Sequence, residues 1–337
     1  MKKNTKLKLS RITPEKISGN ERLLQNKLEI LREKDYEVQN NYSITGDAPK
    51  EFIKVYRYGE SKRDNKKTWS LYIAKTARKW YPNESVMEFL LNQLGVVWGL
   101  NMAESKLVFC NGQVRFLSKY FLKKDEQLVH CANLYAKCFN GSEFIKRIDE
   151  QKLEKGINNI QLFKNCVSMV YEQHSDEIFS SFIKMILFDA LVGNNDRHFY
   201  NYGIIEDITG DSTPRFSPVY DTARGLFWNT SEEKIISLQR DKTRREKFLK
   251  DYLENSMPKI GWHGNQDITH FQMVQFIKSN QMGISSQNIK TFYSVDKLDA
   301  AISLIDKNFR PLISQARVDI IIECLILRFN TILKIIK

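Results

Sequence analysis

Between Phe188 and Trp228 the chain reads FDALVGNNDRHFYNYGIIEDITGDSTPRFSPVYDTARGLFW. An apolar run ends at Val192 and gives way at Gly193, and then Asn194, Asn195, Asp196, Arg197 and His198 crowd into one turn-prone segment. So polar a turn directly behind an apolar helix restricts the fold, because the helix must hold that turn rigidly at its end. Asn201 follows Asp196 by five residues, and Asp221 arrives after a hairpin-like segment, Tyr202 to Val219. Three oxygen-bearing side chains on two loops would point at one place.

The chemistry that uses such a set is phosphoryl transfer. One carboxylate accepts or orients the proton of an attacking hydroxyl, while an amide and a second carboxylate hold magnesium against nucleotide phosphates. Magnesium takes hard oxygen donors and few of them from protein, which suits one Asn and one Asp. Asp-x4-Asn is the spacing of the protein-kinase catalytic loop. Alone it is weak, since loops favour Asp and Asn for turn geometry.

The two halves together are more specific. The run G-N-N-D-R-H-x-x-N followed by S-P-V-Y-D resembles the signature of the HipA-like serine/threonine kinases, GN-x-D-x-H-x-x-N and then A-P-x-Y-D, in the same order. The resemblance implies Asp196 as catalytic base and Asn201 and Asp221 as magnesium ligands, with ATP as phosphoryl donor. His198 would structure the loop.

Earlier segments extend the resemblance. In YSITGDAPKEFIKVYRY a glycine among polar residues leads into an alternating run from Phe52 to Tyr58, a loop entering a strand. The family's phosphate-covering segment resembles S-x-x-G-x-x-x-K, and Ser43, Gly46 and Lys50 fall on those positions. A glycine turn lets backbone amides approach phosphate oxygens closely. The family's loop serine can be autophosphorylated to switch the enzyme off, which makes Ser43 the candidate here. KTWSLYIAKTARKW alternates from Trp69 to Ala74 and ends in Lys75, placed as the kinase lysine that grips α- and β-phosphates. Lys66, Lys67, Arg78 and Lys79 dilute that signal. Glu84 matches an acidic position in the family's P-x-N-E and opens a helical pattern to Leu94. Either Glu84 or Glu88 is placed to pair with Lys75.

Composition narrows the class. Of 337 residues, 42% are hydrophobic, enough to bury a large core. The five cysteines form no C-x-x-C pair and no regular spacing with the five histidines, which argues against structural zinc. The most hydrophobic segments, Ile178 to Val192 and Ile320 to Ile336, carry charged residues at intervals, and the basic start, MKKNTKLKLSRITPEK, has no apolar core. Cytoplasmic residence is the default expectation. The net charge of +12 suits a nucleotide or an acidic partner, but no nucleic-acid-binding motif accompanies it.

Residues 1 to 12 read as a disordered basic leader, and Pro14 to about Tyr36 as an amphipathic helix. The additional β-rich amino-terminal segment of full-length HipA proteins has no counterpart here, so the chain reads as a compact member. Asn111-Gly112 between two apolar runs is the strongest hairpin signal. Ser118 to Phe121 would be the hinge that meets adenine. From Gln127 the pattern turns helical: Leu128 to Phe139, Ser142 to Ile148, Ile157 to Gln173, and a long helix Asp176 to Val192 with Ser175 as its cap. The basic run Gln239 to Lys250 reads first as a solvated helix face.

The expectation is an α+β, two-lobed protein-kinase-like fold. Residues 1–125 would form a small mixed N-lobe with an N-terminal helix, phosphate loop and nucleotide-binding strands, and residues 126–337 a mostly helical C-lobe. The expected activity is ATP- and magnesium-dependent serine/threonine protein phosphorylation. The resemblance implies a protein substrate such as an aminoacyl-tRNA synthetase or other translation factor, and a helix-turn-helix antitoxin as partner. The rival readings are a small-molecule phosphotransferase of the aminoglycoside or choline type, whose H-x-D triplet is lacking because Asn194 precedes Asp196, and an inactive kinase-like basic scaffold.

Overall fold

A left-handed turn at Asn111 (φ 48°) and Gly112 (φ 74°) reverses the chain between two strands, and the largest sheet grows outward from that hairpin. Positive φ at both central residues matches the right-handed twist of the flanking strands, which is why Asn-Gly is favoured there. The structure, a computed structural model, describes residues 7–40, 49–139, 143, 159–259 and 268–337.

The chain runs β1 (Ile17–Ser18), α1 (Glu21–Lys27), β2 (Glu29–Leu31), β3 (Tyr36–Gln39), β4 (Lys50–Val55), β5 (Ser70–Lys75), β6 (Tyr81–Pro82), α2 (Asn83–Val97), β7 (Ser105–Cys110) and β8 (Gln113–Lys119). It continues as β9 (Glu126–His130), α3 (Cys131–Cys138), α4 (Asn159–Val170), α5 (Ser175–Val192), β10 (Gly203–Asp207), β11 (Arg215–Phe216), α6 (Glu232–Arg240), α7 (Lys242–Asn255), α8 (His270–Ser279), α9 (Ser286–Phe292), α10 (Val295–Leu304) and α11 (Gln315–Ile336). The expected α+β, kinase-like architecture is what forms, a curled sheet followed by a mainly helical half.

The six-stranded sheet has the order β2-β7-β8-β5-β4-β3. Its pairings are antiparallel apart from the parallel β2–β7 pair. Within it Lys50, the first residue of β4, sits directly opposite Lys75, the last of β5. α2 packs across β7 and β8 with Val86, Met87, Leu90, Leu91 and Leu94 buried. A second sheet, β11-β10-β9, is antiparallel, and its β10 takes the chain out of the polar loop after α5.

α5 is the axis of the helical half. Twelve of its residues are buried, from Ile178 to Val192, and it packs against α4, α8 and α11. A helix apolar on nearly all sides is stable only when enclosed. It ends at Gly193 (φ 67°), the left-handed C-cap that glycine adopts without a Cβ penalty. A Cβ at that glycine would come within 2.6 Å of the Tyr252 hydroxyl.

The structure corrects several expectations at the amino end. No helix spans Pro14 to Tyr36: α1 starts at Glu21, capped by Asn20 whose side chain accepts from the Leu23 amide, and stops at an extended Leu28. Glu29–Leu31 instead pairs with β7, since a short apolar run serves a strand as well as a helix once a sheet edge needs a partner. Within the expected leader, residues 7–12 are fastened down. Leu9 is 1% exposed, the Asn111 amide donates to its carbonyl, the Ile12 amide donates to Gln113 Oε1 and Arg115 donates to the Ser10 carbonyl.

Further along, Glu126–His130 is strand and the helix begins only at Cys131, because β10 offers that segment a full set of backbone partners. Ser175 is the first helical residue, with His174 at the cap position. Ser142 to Ile148 lies outside the described residues except Glu143. The basic run straddles α6 and α7, where Lys242 pairs with Glu246, Lys250 with Glu254 and Arg245 with Glu323, as on a solvated face.

Burial of Leu9 makes a prediction that separates an anchored segment from a loose leader. Leu9→Ala should cost about 2–4 kcal/mol of unfolding free energy, measured by urea titration. An unchanged midpoint would mean the segment is not docked in solution.

Candidate active site

Asp189 is the lone acid in the last, apolar turns of α5 and is 2% exposed. It is satisfied by Arg197, whose Nε reaches Oδ2 at 2.8 Å and Nη2 reaches Oδ1 at 3.0 Å, and by the Asn194 amide at 2.9 Å. The planar guanidinium can serve both carboxylate oxygens and still donate elsewhere. Its Nη1 donates to the Asn201 carbonyl at 3.1 Å and the Tyr220 carbonyl at 2.7 Å. One buried side chain thereby ties the helix end to both loops that carry the candidate residues.

The polar turn is then shaped locally. The Asp196 amide donates to Asn194 Oδ1, Asn201 Nδ2 donates to the Asp196 carbonyl at 2.8 Å, and the Asn201 amide donates to the His198 carbonyl. His198 Nδ1 accepts from the Tyr200 amide, and burial holds its pKa below the ordinary value. It structures the loop by contact. The Asp196 carboxylate faces two cations, Arg224 Nε at 3.1 Å and Lys259 Nζ at 3.4 Å.

Asp221 is delivered from the other side. Val219 is clamped between Asn101 and Ala103 by two backbone hydrogen bonds, and the Asn92 amide holds the Ala103 carbonyl. Asp221 itself is left-handed (φ 57°), a conformation that side chains other than Asn and Asp rarely adopt. Its Oδ1 lies 2.8 Å from Lys75 Nζ and its Oδ2 3.9 Å from Lys50 Nζ. Lys75 also meets Glu88 Oε1 at 2.5 Å.

Burial favours neutral Lys75, but Asp221 and Glu88 outweigh it and raise its pKa, so the ammonium persists. Burial raises Asp221 too, yet the two lysines dominate and hold its pKa well below the carboxylate range. Burial pushes Glu88 upward, with Lys75 opposing.

Glu88, and not Glu84, makes the ion pair with Lys75. Glu84 stands one turn, about 5.4 Å, nearer the start of α2, and its carboxylate accepts from the Lys79 amide instead. Lys50 joins the cluster through its approach to Asp221. Ser43 and Gly46 lie outside the described residues. Of the expected hinge, Ser118 is paired within the sheet, Lys119 donates to the Glu104 carbonyl and Tyr120 to the Leu71 carbonyl, so Phe121 is the residue beyond the sheet.

A layer behind the loop escaped the sequence reading. Arg328 of α11 is fully buried and donates to the Ala190 and Leu191 carbonyls, where the C-terminal end of the α5 dipole favours a cation. Its guanidinium lies 4.9 Å from the Phe271 ring and 5.5 Å from that of Tyr252. The Tyr252 hydroxyl accepts from the Leu226 amide and donates toward the Val192 and Gly193 carbonyls. His270 Nε2 reaches the Asn194 carbonyl at 3.0 Å, and burial, with Arg328 nearby, pushes its pKa down to about 3. The only sequence signal was a lone cation in the apolar run ILRFN.

The donor set suits magnesium. Asn201 spends its amide nitrogen on the loop, which leaves its oxygen as a hard donor, and Asp221 adds a carboxylate that the two lysines favour in its ionised form. Among the described residues no group of three or more His, Cys, Asp or Glu side chains forms an all-protein cage. An ion that keeps water and takes most of its ligands from phosphates needs no such cage.

With this geometry in place, the comparisons with known proteins are decisive for the family. The sequence model of the HipA-like C-terminal domain matches residues 42–292. The chain belongs to the HipA-like kinase family. Among solved structures, the Helicobacter pylori proinflammatory kinase CtkA is similar at a TM-score of 0.67 and 15% identity, over 89% of this chain and 94% of that one. HipA from Shewanella oneidensis MR-1, solved with HipB and its operator DNA, gives 0.50 and 13% identity over 88% and 66%. These likenesses establish the fold, and no curated protein matches the sequence.

Two predictions test the layer behind the HipA-like loop. Arg197→Met should cost about 3–5 kcal/mol because it strands a buried carboxylate, whereas Arg197→Met with Asp189→Leu should recover much of that loss; chemical denaturation of both variants decides this. His270 stays neutral in the fold down to about pH 3, while an unfolded histidine protonates below about 6.5. Its folded pKa is depressed, so the unfolded state binds the extra proton and stability falls as pH drops below 6.5, by about 2 kcal/mol at pH 5. His270→Gln should flatten the stability profile between pH 6.5 and 4 by about one proton.

Proposed function

We propose that the protein is an ATP- and magnesium-dependent serine/threonine protein kinase of HipA type. The observation that supports this best is the meeting of Lys75, Glu88 and Asp221 beside a loop that presents Asp196 and Asn201. Asp196 takes the proton of the acceptor hydroxyl. Lys75, fixed by Glu88, and Lys50 bind nucleotide phosphates, and the resemblance assigns a phosphate-binding role to Ser43 and Gly46. Asn201 and Asp221 would hold magnesium, which supplies positive charge to the phosphates when bound. Phosphorylation of Ser43 would place about two negative charges where nucleotide phosphate must sit and so lower nucleotide affinity.

The lobes divide near residue 125, between β8 and β9, with nucleotide on the sheet side and acceptor on the helical side. The Shewanella relative is seen with HipB and operator DNA, which supports a helix-turn-helix antitoxin as partner and a toxin role. A translation factor such as an aminoacyl-tRNA synthetase is the corresponding substrate class, and a cytoplasmic location follows from both.

Autophosphorylation with ATP and magnesium tests the reading. Wild type should incorporate phosphate, Asp196→Ala should lose at least 100-fold in rate, on the order expected for removing a catalytic group, and Lys75→Met should weaken ATP binding measured by calorimetry. ATP binding with transfer only to choline or an aminoglycoside would replace this reading with a small-molecule kinase.

A further inference from the structure

On the helical side of Asp196 lies a cavity of about 770 Å³ whose inner wall is α7. Neither Lys50, Lys75, Glu88 nor Asp221 lines it. Its apolar lining comes from Trp228 and Pro258, both buried, and half-buried Phe248, and Asp251 adds an exposed carboxylate. Around its mouth stand three exposed amides, Asn195, Asn229 and Asn255. An amide side chain donates and accepts as a peptide group does, so these three can bond the backbone of an extended polypeptide.

At the inner end the two cations on Asp196 belong to this cavity. Arg224 lies over the Trp228 ring at 5.1 Å, and Lys259 approaches from beyond α7, each on a different oxygen of the carboxylate. A base sits about 2.6–3.2 Å from the hydroxyl oxygen it serves, and reacting atoms come within about 3–3.5 Å of each other. Cations already touching Asp196 are therefore within reach of the phosphoryl group in transit.

We infer that this cavity is the acceptor site, that it takes a serine- or threonine-bearing polypeptide segment, and that Arg224 and Lys259 are catalytic residues that neutralise the transferred phosphoryl group. The inference rests on the protein-kinase reading above. In the step, the acceptor oxygen bonds to the γ-phosphorus as the bond from that phosphorus to the β–γ bridging oxygen breaks. ADP leaves with that electron pair, and the hydroxyl proton passes to the Asp196 carboxylate. Positive charge held beside the reacting centre before substrate arrives needs no reorganisation during transfer.

The test uses the full chain and a randomised serine/threonine peptide library with labelled ATP. A fluorescent form of the best peptide, with alanine for the acceptor, reports binding without turnover. Asn255→Trp, which narrows the mouth from an exposed helix position, should raise the peptide KM and weaken anisotropy-measured binding at least tenfold. Glu254→Trp, one residue away and paired with Lys250 outside the cavity, should match wild type. Lys259→Met should lower kcat roughly 100-fold with ATP affinity unchanged by calorimetry, and Lys259→Arg should recover most of it. Wild-type peptide binding and KM in Asn255→Trp would overturn the acceptor site while leaving the kinase reading intact. An unaltered kcat in Lys259→Met would overturn the role of that cation. Wild type that binds ATP but labels only small alcohols would overturn the polypeptide occupant, and wild type that binds no ATP would overturn the kinase reading itself.

Discussion

The arrangement of the cleft depends on one buried ion pair, Asp189 with Arg197. Taking two charges out of water is costly, and such pairs are often no more stabilising than a well-packed apolar substitute. What this pair provides is position. Because Arg197 has donors left after satisfying Asp189, it also fixes the Asn201 and Tyr220 carbonyls, and so sets the spacing between the loop of Asp196 and the loop of Asp221. An apolar replacement could fill the volume but could not hold two carbonyls at defined distances.

A second constraint is electrostatic. Lys50 and Lys75 are cross-strand neighbours at the end of the sheet, and like charges directly opposite one another repel. Their cost is met by Asp221, which reaches both, and by Glu88, which reaches Lys75. The sheet thus carries an excess of positive charge that requires anions from outside it, and α2 and the helical half supply them. The same logic recurs at Asp196, where Arg224 and Lys259 surround one carboxylate.

Local chemistry explains which parts of this were legible in the sequence. The Asn-Gly turn, the alternation that ends in Lys75, the apolar run of α5 and the polar turn after it are local signals, and each lies where its pattern implied. Glu84 and Glu88 read alike as partners of Lys75, because helix period gives the same face to both and does not say which turn meets the sheet. Arg328, Tyr252, His270 and Lys259 are distant in sequence from the loop they touch, so no window of residues could reveal them. The failed helix at Pro14 to Tyr36 has a different origin. Glu29 to Leu31 is too short for its period to discriminate, and the open edge of β7 decided it. Propensity was overridden there by tertiary pairing.

Backbone strain marks where these constraints converge. Asp221, Leu226 and Phe227 all have positive φ, at 57°, 47° and 66°, within seven residues. Such conformations cost of order 1–3 kcal/mol each and persist only where the surroundings over-determine them. The surroundings here are identifiable. Arg197 holds the carbonyl just before Asp221, and the Leu226 amide is held by the Tyr252 hydroxyl and the Val192 carbonyl. Tyr252 belongs at once to this clamp, to the Arg328 layer and to the wall of the cavity beside Asp196. A side chain that lines the cavity therefore also sustains the strained segment that begins at Asp221, and the two sides of the cleft are joined through covalent geometry as well as charge.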